Sequence, residues 1–530
     1  MKTFSSYGPV SKKSNYYVPR TNLLNQAREN LLGKNPEEGG HYITVWASRQ
    51  CGKSWLLREL FFEMRDSRQY LIAHIDLQHL TKVDDSVRAI NCIMKMVSEQ
   101  IHIDFPEINV LEQFESLFKS NYLPMPLILI LDEFDALKEE VITDIIGTFR
   151  NIHNLRQKDG KSAFEREYRL HGVALIGVRS VLGLENKSGS PFNVQKSLQI
   201  PYLTYEEVNE MYHDYERESG QKVNQDVIDR VFYVTNGQPG LVSWFGELLT
   251  ERYNKDKTKA IDMDLFKYVY ADALSVLPNN NTINIISKAT SDEYRNVILN
   301  LFKTSGKTVF KFEDPAFNYL YMHGVISFER DGEFRYAKFP CQFVQEKLFD
   351  RFAREIYSES GKILPDPFID IDPIINESAI NVRNLMKLYQ SYFVENREYI
   401  IGKAPRRSDN KIFEATYHFN LYAWLNSFLD RKKCYISPEF PTGNGKIDLL
   451  IKHKNIHIYG LELKSFTDLA EMKKSIEQAA YYGKSLGLSV ISLVIFFNTK
   501  ITDELRERFE KDYANQETGV KVELIMIEAV

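Results

Sequence analysis

Lys53 and Ser54 end the segment Ala47-Ser-Arg-Gln-Cys-Gly-Lys-Ser54, and Asp132 and Glu133 end the apolar run that begins at Leu127. In a loop of the first kind, backbone amides surround phosphates at a helix N-terminus, the Lys balances β/γ charge and the hydroxyl reaches Mg2+. Gly52, Lys53 and Ser54 are therefore the candidate nucleotide-binding residues, although Ala47 stands where the first glycine of the spacing belongs. The second motif restores the weight. Asp132, at a strand end, is suited to hold a Mg2+ shell with Ser54, and Glu133 to polarise an attacking water. Taken singly, the two motifs are an ordinary helix start and a solvated strand end; their joint occurrence favours the nucleotide site. Arg179, just past the apolar run 173–178, is a candidate γ-phosphate sensor, with a plain surface Arg as the equal alternative.

A second set lies near the C-terminus. Asp448 sits in Gly445-Lys-Ile-Asp-Leu-Leu-Ile451, and Glu462 and Lys464 alternate out of Gly460-Leu-Glu-Leu-Lys464. Hydrolysing a phosphodiester requires neutralising a pentavalent anion and making a nucleophile from water, and carboxylate-bound Mg2+ does both. Asp448 and Glu462 are the candidate ligands, with the Leu463 carbonyl as a third, and Glu414 on a preceding helix completes the shell. Lys464 would position the water or stabilise transition-state charge. Glu-x-Lys alone is common on exposed strands, so the ordered set carries the argument. Glu439 is a weaker candidate, more simply a solvated strand end, and Arg406-Arg407 and Lys432-Lys433 are small basic clusters for which solvated loop charge is the simpler account. His453 and His457 flank a turn without a partner acid at ligand spacing, which places them at the surface.

These residues need strands and helices to position them. Runs at 41–47, 70–77, 126–131 and 173–178, separated by helical patterns, predict buried parallel strands with crossover helices. From about 204 the pattern turns helical, with a break at Thr235-Asn-Gly-Gln-Pro-Gly240, as a lid on the sheet would; the Asp-Gly turn inside 325–336 predicts the hairpin of a winged helix. Residues 361–373 are rich in Pro and Asp and mark a linker. A helix over 413–429, β-runs near 434–440, 446–452 and 456–464, and a helix over 474–486 follow. The expected class is α/β multidomain: nucleotide-binding core 1–200, helical lid 201–275, winged helix 276–360, linker 361–404 and a second α/β domain 405–530.

Composition bounds the partners. At 530 residues the chain is too long for one ordinary core, and a formal charge of −5 provides no global basic field, so nucleic-acid contact must be local. Cys51, Cys92, Cys341 and Cys434 lack metal-ligand spacing, and no apolar run approaches the roughly 20 residues of a membrane span, so a reducing cytoplasmic setting without membrane contact is expected.

Over roughly 15–350 the chain resembles the AAA-like and STAND-type P-loop ATPases, on Tyr17-Val-Pro-Arg20, Arg49-Gln-Cys-Gly-Lys-Ser54, Asp132-Glu133 and Gly237-Gln-Pro239. The resemblance implies ATP and Mg2+ as ligands, with the Gly-x-Pro helix and winged helix closing over the nucleotide, and a homo-oligomer that completes each site with a neighbour's Arg. Over about 405–500 it resembles the PD-(D/E)xK nucleases of the restriction-endonuclease-like fold, on Glu414, Asp448, Glu462-Leu-Lys464 and Gln478-Ala-Ala-Tyr-Tyr482, with Ile447 in place of the Pro. That resemblance adds Gln478 to the catalytic set and implies Mg2+ or Mn2+ and a nucleic-acid partner, DNA first. The architecture as a whole is similar to proteins of bacterial defence or mobile-element conflict, in which an ATPase controls a nuclease. The rivals are a non-cleaving nucleic-acid or protein adaptor and a signalling switch with slow turnover.

Overall fold

Alternate residues of one strand feed two different cores, which is why the first sheet needs helices on both faces. In Leu127–Asp132, Leu127, Leu129 and Leu131 join one apolar cluster while Ile128 and Ile130 join the other. The computed structural model describes residues 2–6, 11, 13–177, 195–302, 308–358, 373–376, 378–402, 414–429, 434–441, 446–453 and 457–529. They divide into two compact units.

The first unit comprises Met1–Ile285, Lys311–Phe328 and Phe339–Gln342. It runs α1 (Thr21–Leu32), β1 (Tyr42–Trp46), α2 (Lys53–Met64), β2 (Leu71–Asp76), α3 (Ser86–Ile101), β3 (Leu127–Asp132), α4 (Glu139–Lys158), β4 (Leu170–Gly177) and β5 (Gln195–Gln199). Four helices follow: α5 (Tyr205–Ser219), α6 (Gln225–Thr235), α7 (Pro239–Glu247) and α8 (Met263–Ser275). The strands are parallel in the order β2-β3-β4-β1-β5. Residues of α3 and α4 cover one face, those of α1 and α2 the other. The parallel α/β sheet expected from the apolar runs is present; β5 was not read, because Gln195-Lys-Ser-Leu-Gln199 has little apolar character. β1 and β3 flank β4, so the loops after them meet across the C-terminal end of β4, the usual crevice for ligands in such sheets. A Thr204–Glu207 capping box starts α5, and Gln238 caps α7 ahead of Pro239.

At the opposite end of β4, His171 is 1% exposed with Nε2 2.9 Å from Leu32 O. Burial, reinforced by Arg156 and Arg166, lowers its pKa to about 4 against the ordinary 6.5 and outweighs the Leu32 carbonyl. An unfolded His binds a proton sooner, so this contribution is complete above pH 6.5 and is lost as pH falls towards 4, about 3 kcal/mol in full. Urea unfolding of wild type should therefore lose stability more steeply over that window than His171→Gln; equal slopes would refute the assignment.

Next come α9 (Asn280–Ala289), α10 (Arg295–Leu301), α11 (Pro315–Met322) and the hairpin of β6 (Ser327–Asp331) and β7 (Phe334–Lys338), with Gly332 at φ 59° in its turn. The second unit, Ile286–Phe310, Glu329–Lys338 and Phe343–Val530, continues through α12 (Gln342–Ser358), α13 (Val382–Glu395), α14 (Arg397–Gly402), α15 (Glu414–Leu429), β8 (Cys434–Pro441), β9 (Lys446–His453), β10 (His457–Ser465), α16 (Leu469–Ser485), β11 (Val490–Phe497), α17 (Asp503–Phe509), β12 (Asp512–Ala514) and β13 (Lys521–Glu528). Its mixed sheet has the order β12-β13-β11-β10-β9-β8, with β10, β11 and β13 parallel and the other pairings antiparallel.

Two helices lie inside 361–404, the stretch assigned above to a linker. Val382, Leu385, Met386, Tyr389 and Phe393 recur at helical spacing and are buried, and α13 is tied to the sheet by Arg383 with Glu523 (2.9 Å) and Asp512 (2.8 Å). The Pro- and Asp-rich composition ends at Pro373, and the apolar periodicity that follows makes helix, not linker. On α15, Tyr417 stacks on Phe496 of β11 at 4.6 Å, so this helix also packs on the second sheet.

Candidate functional site

Each unit holds one candidate site. In the first, the chain leaves β1 at Trp46 and enters α2 at Lys53 through two left-handed residues, Gln50 (φ 59°) and Gly52 (φ 85°). A Cβ on Gly52 would meet nothing within 4 Å, so its φ and the open space before it, not packing, call for glycine. No side chain caps α2, which leaves its first amides for an anion. Lys53 is 8% exposed and donates Nζ to Ala47 O (2.9 Å) and Ser48 O (3.0 Å). Burial pushes its ammonium pKa down, opposed by Cys51, Glu133, Asp135 and Asp132, so an anionic ligand would offset the cost of burying the charge. This loop fits a nucleotide phosphate chain. Burial pushes up the Cys51 thiol within it, and none of the four cysteines is in a disulfide.

Asp132 and Glu133 are neighbours with opposite electrostatics. Burial alone would raise Asp132, but the His74 ring, the Ser54 hydroxyl and the Glu133 amide, 2.9 Å from Oδ1, hold it below its ordinary range. Glu133 is pushed up by burial and by Asp135 and Asp132, with Lys53 opposing. The surroundings thus favour the ionised form of Asp132 and disfavour that of Glu133, and separations of this kind assign acid and base roles in known sites. Ser54 and Asp132, from different motifs, are brought together, and their oxygens suit Mg2+. Arg179 lies outside the described residues.

The Gly-x-Pro segment docks on the loop. Gln238 donates to Arg49 O (3.1 Å), and Gly240 N donates to Gln50 O (3.1 Å). Arg20 donates to Pro201 O (2.6 Å) and Tyr202 O (3.1 Å), and Tyr17 donates to Glu59 on α2 (2.6 Å). Gly237 has φ 72°, and a Cβ there would lie 2.0 Å from Leu203 O, a backbone atom that cannot turn aside. Gly237→Ala is expected to cost about 2–4 kcal/mol from the strained φ and the clash together; a denaturant midpoint equal to wild type would contradict this.

In the second unit, β9, β10 and α16 converge. Asp448, 2% exposed, accepts the Leu463 amide on Oδ2 at 2.6 Å, and Lys464 Nζ is 2.8 Å from Glu462 Oε1, with Glu462 1% exposed. From α16, Gln478 donates to Tyr482 OH at 2.6 Å. Burial raises the Tyr482 phenol, with Glu462 and Asp448 adding to the rise and Gln478 and Lys464 opposing it, so Tyr482 shares the field of all three charged groups. Asp448, Glu462, Lys464, Gln478 and Tyr482 are therefore together. Two carboxylates are a hard-oxygen donor set suited to Mg2+, but among the described residues no three His, Cys, Asp or Glu side chains form a metal-holding group. Glu414 begins α15, but its side chain and that of Glu439 lie outside the described residues, as do Arg406, Arg407, Lys432 and Lys433.

His453 corrects the surface reading: it is 1% exposed, because its place on the inner strand β9, in register with Cys434 and His457, buries it. Two histidines escaped sequence reasoning. His418, buried on α15, places Nε2 2.9 Å from the Asp448 carbonyl. His74 on β2 lies beside Asp132; a polar residue within an otherwise apolar strand was the available signal.

Residues 5–263 match the family model described as an AAA-like domain. No curated protein matches the chain. Solved structures it is similar to include the Walker-type ATPase of Pyrococcus abyssi, at 14% identity and TM-score 0.39, covering 65% of this chain and 99% of that one. Cdc6p of Pyrobaculum aerophilum follows at 15% identity and TM-score 0.35, covering 64% and 97%. The ORC1 protein of Aeropyrum pernix in complex with DNA follows at 15% identity and TM-score 0.34, covering 63% and 92%. Among the described residues no helix is long and apolar enough to cross a membrane. The Lys53 loop and the Asp132–Glu133 strand end both lie inside residues 5–263, the span that matches an AAA-like domain.

Proposed function

We propose that the chain binds and hydrolyses ATP at the Lys53 loop and that this controls a metal-dependent nuclease, acting on DNA first, in its C-terminal domain. In the first site Lys53 and the α2 amides hold the phosphates, Ser54 and Asp132 hold Mg2+, and Glu133 accepts the proton of the attacking water. The Mg2+ supplies charge neutralisation. In the second, Asp448 and Glu462 are the groups that would hold Mg2+ or Mn2+, while Lys464 orients water or stabilises developing charge and Gln478 and Tyr482 support it. The observation carrying the nuclease reading is the convergence of Asp448, Glu462 and Lys464, in a buried cluster, with Gln478 and Tyr482 from the following helix. Control of a nuclease by an ATPase in bacterial defence or mobile-element conflict, and assembly into a homo-oligomer, belong to the same reading.

A second reading, a non-cleaving adaptor for nucleic acid or protein, has its own support: an Asp448 oxygen is already satisfied by Leu463 N and a Glu462 oxygen by Lys464. Incubating the protein with plasmid and oligonucleotides, DNA and RNA, with Mg2+ or Mn2+ and with or without ATP, separates the two. Cleavage that depends on metal supports the nuclease; tight binding without cleavage in any nucleotide state supports the adaptor.

A further inference from the structure

β2 is the edge strand of the parallel sheet, and one side chain closes its open edge at one residue. Gln100 on α3 accepts from His74 N (2.8 Å) and donates to His74 O (2.7 Å), so both backbone polar groups of His74 are held. The ring packs on Phe61 of α2, with centroids 5.8 Å apart, and carries Nε2 to 3.8 Å from Asp132 Oδ2. Nε2 is buried with no partner within hydrogen-bond distance among the described residues, and Asp132 Oδ2 is the acidic oxygen it faces. The other oxygen of Asp132 is occupied by the Glu133 amide at 2.9 Å. Closing the gap to hydrogen-bond length needs a shift of under ~1 Å.

We propose that His74 is a positioning residue for Asp132: an imidazole N–H, fixed from behind by Gln100 and Phe61, that sets the carboxylate's orientation for a Mg2+ shell shared with Ser54. The inference rests on the nucleotide-site reading above. Groups that orient a ligating carboxylate without touching the metal are worth about 10–100-fold in metal affinity. Neither the phosphate loop nor the Asp-Glu strand end contains His74, so the role comes from strand pairing, which sets Asp76 opposite Asp132 and His74 opposite Ile130.

The test compares His74→Leu, which keeps bulk but not the donor, with His74→Gln, which keeps an N–H near Nε2. Binding of ATPγS is measured by calorimetry across a Mg2+ series and in EDTA, with Lys53→Ala as the control without a loop ammonium. His74→Leu should raise the Mg2+ concentration for half-maximal enhancement about tenfold, His74→Gln should stay within about twofold of wild type, and EDTA binding should be equal in all three. Equal behaviour of the two variants, whether both normal or both impaired, overturns the role, as does an equal loss in EDTA. Wild type that binds no ATPγS, with Lys53→Ala indistinguishable from it, instead removes the nucleotide-site reading and the inference with it.

Discussion

Lys53→Ala should abolish nucleotide binding: an ATP affinity at least about 100-fold weaker, close to 3 kcal/mol, is the expected loss when the only ammonium of the loop motif is removed. The fold should survive the substitution. Lys53 is bonded to two loop carbonyls, Ala47 O and Ser48 O, and carries a burial penalty, so truncation removes a charge from an unfavourable place along with those two bonds. Glu133→Gln should separate binding from turnover. It keeps the shape of a left-handed residue (φ 52°) and loses only the proton acceptor, so ATP affinity should hold while phosphate release slows about 10²–10⁴-fold. Calorimetry and a phosphate-release assay measure the two effects; normal turnover in both variants would exclude this loop and strand end as the ATPase site.

On the proposed nuclease reading, Asp448→Asn is expected to produce the largest loss of cleavage, about 10³-fold, with nucleic-acid affinity retained. Asparagine keeps an oxygen that can accept the Leu463 amide at 2.6 Å, so the hairpin geometry persists while the charge that would hold a metal is gone. Lys464→Ala is harsher. It removes the ammonium 2.8 Å from Glu462, which is 1% exposed, and breaking a buried ion pair costs about 3–5 kcal/mol. Thermal unfolding must therefore accompany the cleavage assay for that variant. Cleavage unchanged in Asp448→Asn, with the melting temperature also unchanged, would remove the proposed metal site.

Much of the architecture was legible because its signals are local. β3 and β4 read as uninterrupted apolar runs because both faces of their sheet are covered, and β1, β9 and β10 were found at nearly their observed limits. Where the signal was weak the reading failed: β5 is half polar, and α13 was hidden by the Pro- and Asp-rich residues before it although its apolar residues repeat at helical spacing. Arg179 and the Glu414 side chain remain expectations of the sequence.

The sequence by itself determined the chemistry at hand: which residues could bind phosphate or metal, in what order, and that a parallel α/β sheet would carry the first set. Motif spacing suffices for that because each motif is local: the Lys53 loop joins β1 to α2, Asp132 ends β3, and Asp448, Glu462 and Lys464 lie on the adjacent strands β9 and β10. Only the tertiary structure decided which groups share a field. Strand pairing set Asp76 beside Asp132, packing brought His74 and Ser54 to the same carboxylate, and the crossing of α16 over its sheet put Tyr482 among Asp448, Glu462 and Lys464. The opposite shifts of Asp132 and Glu133 arise in the same way, since neighbours in sequence acquire different acidities only when burial and hydrogen bonds from distant segments fall on them unequally.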